Sequence, residues 1–410
     1  MLFLAAYFHT LDGKLLTISG DLAVRFYGLT YVVGFVLAWF VLARLAKRGL
    51  IAIPAERVPD VMLAVVLGTL LGGRIGYGLV YDHSLIGLKF FQIWHGGMAS
   101  HGGMVGIIVA CWYSTRWLRT DDLLVAPEAP SSGASNASGA GAGGTGETSP
   151  PSVSRSDSPD LETSRSLDPT SSTLHVVDCM GLVSVFGIFL GRIANFVNGE
   201  LLGRVIVEPS KTTQVAPAPW WSVRFPQELS GWLEPGKLPN PDPQSHTPAL
   251  AAEQFARLDA LVESVRQPGE KWETALNYVI NHAARYRDQL EPLLSARHPS
   301  QLYQAFVEGI VLGLFVWIVW RVPQKPGVVA AWWLIVYGAL RVVTEIWRLP
   351  DAQFIGAAAR PLGLSRGQWL SVGMVVIGVA VLIWAARRAA PKLGGWAGGR
   401  PSRNAGATVA

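Results

Sequence analysis

The sequence predicts an all-α, polytopic membrane protein with about seven transmembrane helices, a small extracytoplasmic head and a disordered cytoplasmic linker. Three observations carry that prediction. Half of the 410 residues are hydrophobic, only 15% are charged, and the mean hydropathy is +0.31, a composition foreign to a soluble enzyme. Apolar runs long enough to cross about 30 Å of hydrocarbon recur along the chain. Lys and Arg gather after alternate runs, as they do on the cytoplasmic side of a membrane bundle.

The runs fall near residues 22–46, 61–80, 97–117, 176–196, 300–320, 328–347 and 367–387. Arg44, Lys47 and Arg48 follow the first, Arg116 and Arg119 the third, Arg321 and Lys325 the fifth, and Arg387 and Arg388 the seventh. That alternation places the N-terminus outside and the C-terminus in the cytoplasm. Sixteen tryptophans suit interfacial belts, and the net charge of +5 needs no nucleic-acid partner because the basic residues sit in short loops. Cys111 and Cys179 both lie inside apolar runs, so no disulfide framework is expected. The short apolar start lacks a basic n-region and a small-residue cleavage site, so no cleaved leader is expected.

These signals divide the chain as follows. Residues 1–120 carry spans one to three, and 121–174 form a linker. Residues 175–204 hold the fourth span, 205–297 the head, 298–388 spans five to seven, and 389–410 a cytoplasmic tail. The linker is rich in Ser, Gly, Ala, Pro and Thr, with eight acidic residues against two arginines, and cannot offset its ordering entropy. In the head, 250–293 reads as one amphipathic helix, and Trp220-Trp221 and the Val223-Arg224-Phe225-Pro226 step precede it.

Polar groups at membrane depth are costly and mark function. The densest set is Gly191-Arg192-Ile193-Ala194-Asn195-Phe196-Val197-Asn198-Gly199-Glu200-Leu201-Leu202-Gly203-Arg204 at the end of the fourth span. In the sixth span Tyr337, Arg341, Glu345 and Arg348 recur at i, i+4, i+8 and i+11, one helical stripe. An Arg341–Glu345 pair would neutralise itself, yet the two clusters together set four arginines against two glutamates. The surplus calls for an anion, and a guanidinium fork matches phosphate or carboxylate oxygens.

The third span opens His95-Gly96-Gly97-Met98-Ala99-Ser100-His101-Gly102-Gly103, too glycine-rich for an ordinary helix start. Two readings stand: His101 as a base facing a wet cavity, or a packing segment with one hydrogen-bonded histidine. His298, before Pro299 at the start of the fifth span, is either an interfacial ligand or part of a helix cap. Tyr27 belongs to an aromatic belt on its own signal, and Arg74 is an intramembrane cation of unassigned role. His9, His83, His175, His246 and His282 read as surface or interfacial residues. No His/Cys/Asp/Glu set has metal-ligand spacing and no glycine-rich phosphate loop or nucleophile elbow occurs, so neither metal nor cofactor is expected.

Taken together, these motifs resemble the prolipoprotein diacylglyceryl transferase family. The resemblance rests on residues 191–204, His101-Gly102-Gly103, His298-Pro299-Ser300-Gln301-Leu302-Tyr303, and Tyr337…Arg341…Glu345…Arg348-Leu349-Pro350-Asp351, in the family's order. Tyr27-Gly28 fits its first-span tyrosine and 223–226 its short element in the head. Val342 stands where an aromatic is common, His95 where Glu or Gln is frequent, and the linker and long head look like enlargements.

The resemblance implies transfer of the diacylglyceryl group of phosphatidylglycerol to the lipobox cysteine of prolipoprotein signal peptides, releasing sn-glycerol 1-phosphate. It implies His101 as the thiol's base, or as a group that only positions lipid, with Arg192 and Arg341 on the phosphate. Asn195, Asn198 and Gly203 would orient the head group and helix end. Glu200 and Glu345 would hold arginine forks, while Tyr27, Tyr337, His298 and Arg348 line the site. The competing reading is a transporter or flippase of an anionic lipid, which also uses broken helices and buried arginines. A scaffold protein is the third, and would tolerate loss of Arg192.

Overall fold

A computed structural model describes residues 6–19, 22–80, 90, 97–117, 169–231, 250–349 and 363–396. The linker assigned to 121–174 falls outside the described residues up to 168, as do the 389–410 tail beyond 396, His83, His95 and His246.

Among the described residues every predicted span is a helix. These are α1 (Phe26–Lys47), α2 (Val58–Val80), α3 (Ser100–Trp117), α4 (Pro169–Asn198), Ser300–Trp320, α10 (Val328–Thr344) and α11 (Arg366–Arg387). Five are long and apolar enough to cross a membrane, and Val328–Thr344 is apolar but shorter. The 18-residue α3 begins with Ser100, His101 and two glycines and ends at Arg116-Trp117, which dilutes its apolarity. The first span starts later than the sequence predicts: β2 (Lys14–Ser19) and β3 (Leu22–Arg25) form an antiparallel pair before α1.

The bundle buries small groups inward and leaves large apolar side chains outward, as hydrocarbon demands. In α1 the buried positions Thr30, Gly34, Ala38, Leu42 and Leu45 make one stripe toward α4, where Gly34 meets the Gly187 backbone. Val32, Val36 and Phe40 face out. Helices α2 and α3 approach through Gly68, Gly72 and Gly76 against Gly102 and Gly106; a methyl on Gly76 would stand 2.7 Å from the Gly102 Cα. The core includes Leu42, Ile53, Leu182, Leu312, Val316 and Trp320.

Two polar groups of α4 fix the opposite end of this bundle. His175, expected at a surface, is buried, stacks on Trp320, and accepts a hydrogen bond at Nε2 from the Ala52 N–H (3.1 Å). Asp178 accepts the N–H groups of Gly327 (2.7 Å) and Ala330 (2.8 Å), so a carboxylate from one helix caps the first turn of another.

The head is a four-stranded sheet in the order β1-β5-β6-β4, with β1 at Tyr7–Phe8, β4 at Val205–Val207, β5 at Val223–Arg224 and β6 at Ala296–Arg297. β1 pairs parallel with β5; β6 runs antiparallel to both β5 and β4. The single helix expected across 250–293 is instead α5 (Ala252–Val265), α6 (Trp272–Asn281), α7 (Arg287–Leu290) and a tight turn at Glu291–Leu293. Pro268-Gly269 supplies the first break, with Gly269 at φ +82° where a side chain would be strained. Folding the stretch back on itself buries Leu258, Val262, Trp272, Leu276 and Val279 against Phe8 and Leu229, a core one straight helix could not make.

Candidate active site

The site is built where three helices end beside the head. The last turns of α4 bring Arg192, Asn195 and Asn198; α10 ends with Tyr337, Arg341 and Thr344; and Ser300–Trp320 starts directly after β6. Ser300–Trp320 is not a uniform helix. It opens as α8 (Ser300–Gln304), widens into a π-helical segment at Ala305–Val311 and closes as α9 (Leu312–Trp320). Such widened turns recur at functional sites, and this one carries Glu308.

Glu308 is fully buried and holds the two arginines that the sequence predicts as anion ligands. Arg192 donates to its Oε2 from Nε (3.2 Å) and Nη2 (2.9 Å). Arg341 donates from Nη1 to Oε1 (3.4 Å), and the Thr344 hydroxyl donates to the same oxygen at 2.9 Å. Arg341 also pairs through Nη2 with Glu345 (3.4 Å), which accepts from Arg348 (3.4 Å) and from the Ser365 hydroxyl (3.2 Å). The Arg192 and Arg341 side chains keep 15% and 13% of their surface exposed against 0% for Glu308, so a ligand can reach the cations but not their shared carboxylate.

The charge accounting drawn from the sequence therefore needs correcting. Arg192, Arg204, Arg341 and Arg348 face not only Glu200 and Glu345 but also Glu308. With Glu308 included, one positive charge remains in surplus. A lone carboxylate within the apolar run 300–320 was the signal available for finding it.

The end of the 191–204 motif is pinned to the end of α10. Gly203 and Arg348 form an antiparallel bridge, Arg204 N–H donates to the Trp347 carbonyl (2.9 Å), and Leu349 N–H donates to that of Leu202 (3.2 Å). Gly203 has no room for a side chain: a methyl would stand 2.9 Å from the His298 carbonyl carbon. Leu201 sits at φ +55° and Gly199 at φ +65°, so the chain turns sharply after α4, at a cost of about 1 kcal/mol for the leucine. Asn198 donates to Glu200 (3.2 Å), and Gln301 donates to the Glu200 carbonyl (2.6 Å). A cavity of about 140 Å³ lies beside this junction, lined by Arg204, Glu345, Arg348, Ser365 and Gln368.

Tyr27 and Tyr31 share a hydroxyl hydrogen bond (2.9 Å), and the charge of Arg192 reaches the Tyr31 phenol. Tyr337 stacks on Trp333, ring centroids 4.8 Å apart. His298 packs between Trp221 and Tyr303; burial, then the charge of Arg204, lowers its pKa, which favours the neutral ring. Asn195 is buried. The backbone of His101 opens α3, but its side chain lies outside the described residues. Arg74 donates to the carbonyls of Phe90 (2.9 Å) and of Gly97 (3.1 Å), three residues before α3. Gln304, one turn before Glu308, is fully buried, and among the described residues neither of its side-chain amide atoms has a partner.

The match of a family sequence profile decides what this arrangement belongs to. The profile described as prolipoprotein diacylglyceryl transferase covers residues 14–130 and 164–384. The chain belongs to the prolipoprotein diacylglyceryl transferase family. Among curated relatives, the phosphatidylglycerol–prolipoprotein diacylglyceryl transferase of Bdellovibrio bacteriovorus is 35% identical over 405 residues, covering 95% of this chain and 96% of the relative. The proteins of that name from Paraburkholderia phymatum and Burkholderia cenocepacia are each 33% identical over 385 residues, covering 90% of this chain and 91% and 93% of themselves. The chain is thus a multi-pass membrane protein and a diacylglyceryl transferase, an activity that opens lipoprotein maturation. The gap in the family match, 131–163, lies within the Ser/Gly-rich linker.

One further residue ties the N-terminus to the family motif. His9 is fully buried rather than at a surface; its Nε2 donates to the carbonyl of Phe196 (2.8 Å), and its ring packs on Phe196 and Phe225. Burial lowers its pKa to about 4, partly opposed by the Phe196 hydrogen bond. An unfolded histidine binds a proton near pH 6.5 and this one resists until about 4, so acid favours the unfolded chain. Stability should be full above pH 6.5 and should fall by about 3 kcal/mol as pH drops through 4. Thermal midpoints in detergent between pH 7.5 and 4 test this, and a His9→Gln chain should show a flatter dependence.

Proposed function

We propose that the chain transfers the diacylglyceryl group of phosphatidylglycerol to the cysteine thiol of a prolipoprotein lipobox and releases sn-glycerol 1-phosphate. The thiol loses its proton, the sulfur bonds to the glycerol carbon, and that carbon's bond to the phosphate oxygen breaks. The departing phosphate gains negative charge. The observation that carries this reading is the pair Arg192 and Arg341, partly exposed and held a fixed distance apart on Glu308. Their single surplus charge suits one phosphodiester, and preorganised donors serve best where charge grows. Arg192 commits Nε and Nη2 to Glu308, and among the described residues its Nη1 is left for a phosphate oxygen.

A thiol with a reference pKa near 8.5 needs a base, and a neutral histidine is suited to that work. His101 is assigned to it, at the start of a helix whose Gly102 and Gly106 pack tightly against α2. Tyr27, Tyr337, His298 and Arg348 are assigned to the lipid site, Arg348 on the wall of the 140 Å³ cavity, and Asn195, Asn198 and Gly203 to orienting the head group and the turn. The bundle end with the head faces outside the bacterial inner membrane, and the basic ends of α1 and α11 face the cytoplasm. The 121–174 linker is then cytoplasmic and the 205–297 head periplasmic.

Purified chain, phosphatidylglycerol and a lipobox peptide should yield a thioether-linked diacylglyceryl peptide by mass spectrometry, with glycerol phosphate released. Lipid movement across vesicles without that product would favour transport instead. Turnover should fall on acidification as the base is protonated, and His101→Gln should lose most activity together with that acidic limb. Near-normal turnover with the limb intact would remove His101 from the proton transfer and leave it a lipid-positioning role.

A further inference from the structure

We propose that Glu308 is a positioning residue for the transfer: it fixes Arg192 and Arg341 as one unit aimed at the lipid phosphate, without touching substrate itself. This rests on the transferase reading above. Three independent observations converge on it. Glu308 has no exposed surface, while both arginines retain some, so the carboxylate stands behind the cations. Each of its oxygens serves a different arginine, Oε2 for Arg192 on α4 and Oε1 for Arg341 on α10. The Thr344 hydroxyl closes the Oε1 side at 2.9 Å and fixes the plane of the carboxylate.

The backbone is shaped for this contact. Glu308 and Gly309 both lie in the π-helical segment Ala305–Val311, and both meet α4. Gly309 lies against Phe189, where a methyl group would come within 2.7 Å of the Phe189 Cβ. Phe189 is one turn before Arg192, so the close helix approach and the ion pair belong to one interface. A regular α-helix of the same sequence would place the carboxylate on a different heading. Two cations on separate helices repel one another, and a shared buried anion keeps both forks close enough to grip one phosphate.

The test separates positioning from mere structural support by splitting kcat from KM. In Glu308→Gln the side chain keeps its size but loses its charge. Per folded molecule, kcat should fall about 100-fold, while KM for phosphatidylglycerol, and its Kd in nanodiscs by tryptophan fluorescence, should not rise. A kcat within a factor of about two of wild type, or a raised KM at unchanged kcat, would overturn the proposal. Should Glu308→Gln not fold, Glu308→Asp decides. Its charge is kept, but it is one methylene short of spanning both arginines, and kcat should fall about tenfold at unchanged thermal stability. Wild-type kcat in that variant would equally overturn the proposal. If the wild-type chain itself gives no thioether product, the transferase reading fails; product from wild type with unaffected variants fails only the role of Glu308.

Discussion

Replacing Arg192 with Gln should lower kcat/KM by about 10²–10³-fold, the size of effect seen when one preorganised oxyanion donor is lost. Arg341 and Thr344 still contact Glu308 in that variant, so the buried carboxylate keeps a cation and a hydroxyl and the protein should fold. Arg192→Lys should recover little. An ammonium is a point donor and cannot serve Glu308 through two nitrogens while presenting a third to phosphate. Initial rates at several phosphatidylglycerol concentrations, normalised to folded protein, give the answer. Retention of more than about a tenth of wild-type kcat/KM would take Arg192 out of phosphate stabilisation.

The second large effect lies in the head. Arg297, on β6, is almost fully buried; it donates to Glu228 through Nε and to the Gly203 carbonyl through Nη1 (3.2 Å). Glu228 also accepts the Ser295 N–H, and Arg224 spans the Leu294 and Ala216 carbonyls. Burial pushes the Glu228 carboxyl up, against the pull of Arg297 and of the Ser295 N–H. Glu228→Gln strands a buried guanidinium, a change that costs about 3–5 kcal/mol. The expected result is a thermal midpoint several degrees lower, with new protease cleavage inside 205–297. Activity should fall too, because the same arginine anchors Gly203 in the family motif. An unchanged midpoint and digestion pattern would show that Glu228 does not hold the head together.

What the sequence revealed and what it hid follow from the range of each signal. Helical spacing and hydrocarbon length are local, so the seven spans and the Tyr337–Arg341–Glu345 side of the stripe are readable without a structure. The helix itself ends at Thr344, and Arg348 is extended backbone bridged to Gly203 rather than a further position on one helix. The Arg341–Glu345 pair was visible for the same reason. Glu308 was not weighed, because one acidic residue in an apolar run has no neighbours in sequence to explain it; its partners lie on α4 and α10. His9 was misread for a like reason. Nothing around it announces a strand of two residues whose partner stands at 223–224. Asp178 was passed over as well, since a carboxylate that caps another helix leaves no mark in its own. The amphipathic pattern across 250–293 was real, but Pro268-Gly269 inside it should have weighed more than the periodicity.

The order of the head sheet has a consequence for how the enzyme is made. β1 is synthesised first, yet its strand partner among the described residues, β5, follows four membrane helices later, and β6 arrives only just before the fifth span of the bundle. During synthesis the N-terminal strand must therefore wait, already beside the membrane, with its hydrogen-bonding edge open. The turn that carries Gly203 stays unanchored until Arg297 has emerged, and Arg341 is later still. A chain stalled before Arg341 cannot hold the assembled phosphate grip, so an enzyme half-made in the membrane is a silent one.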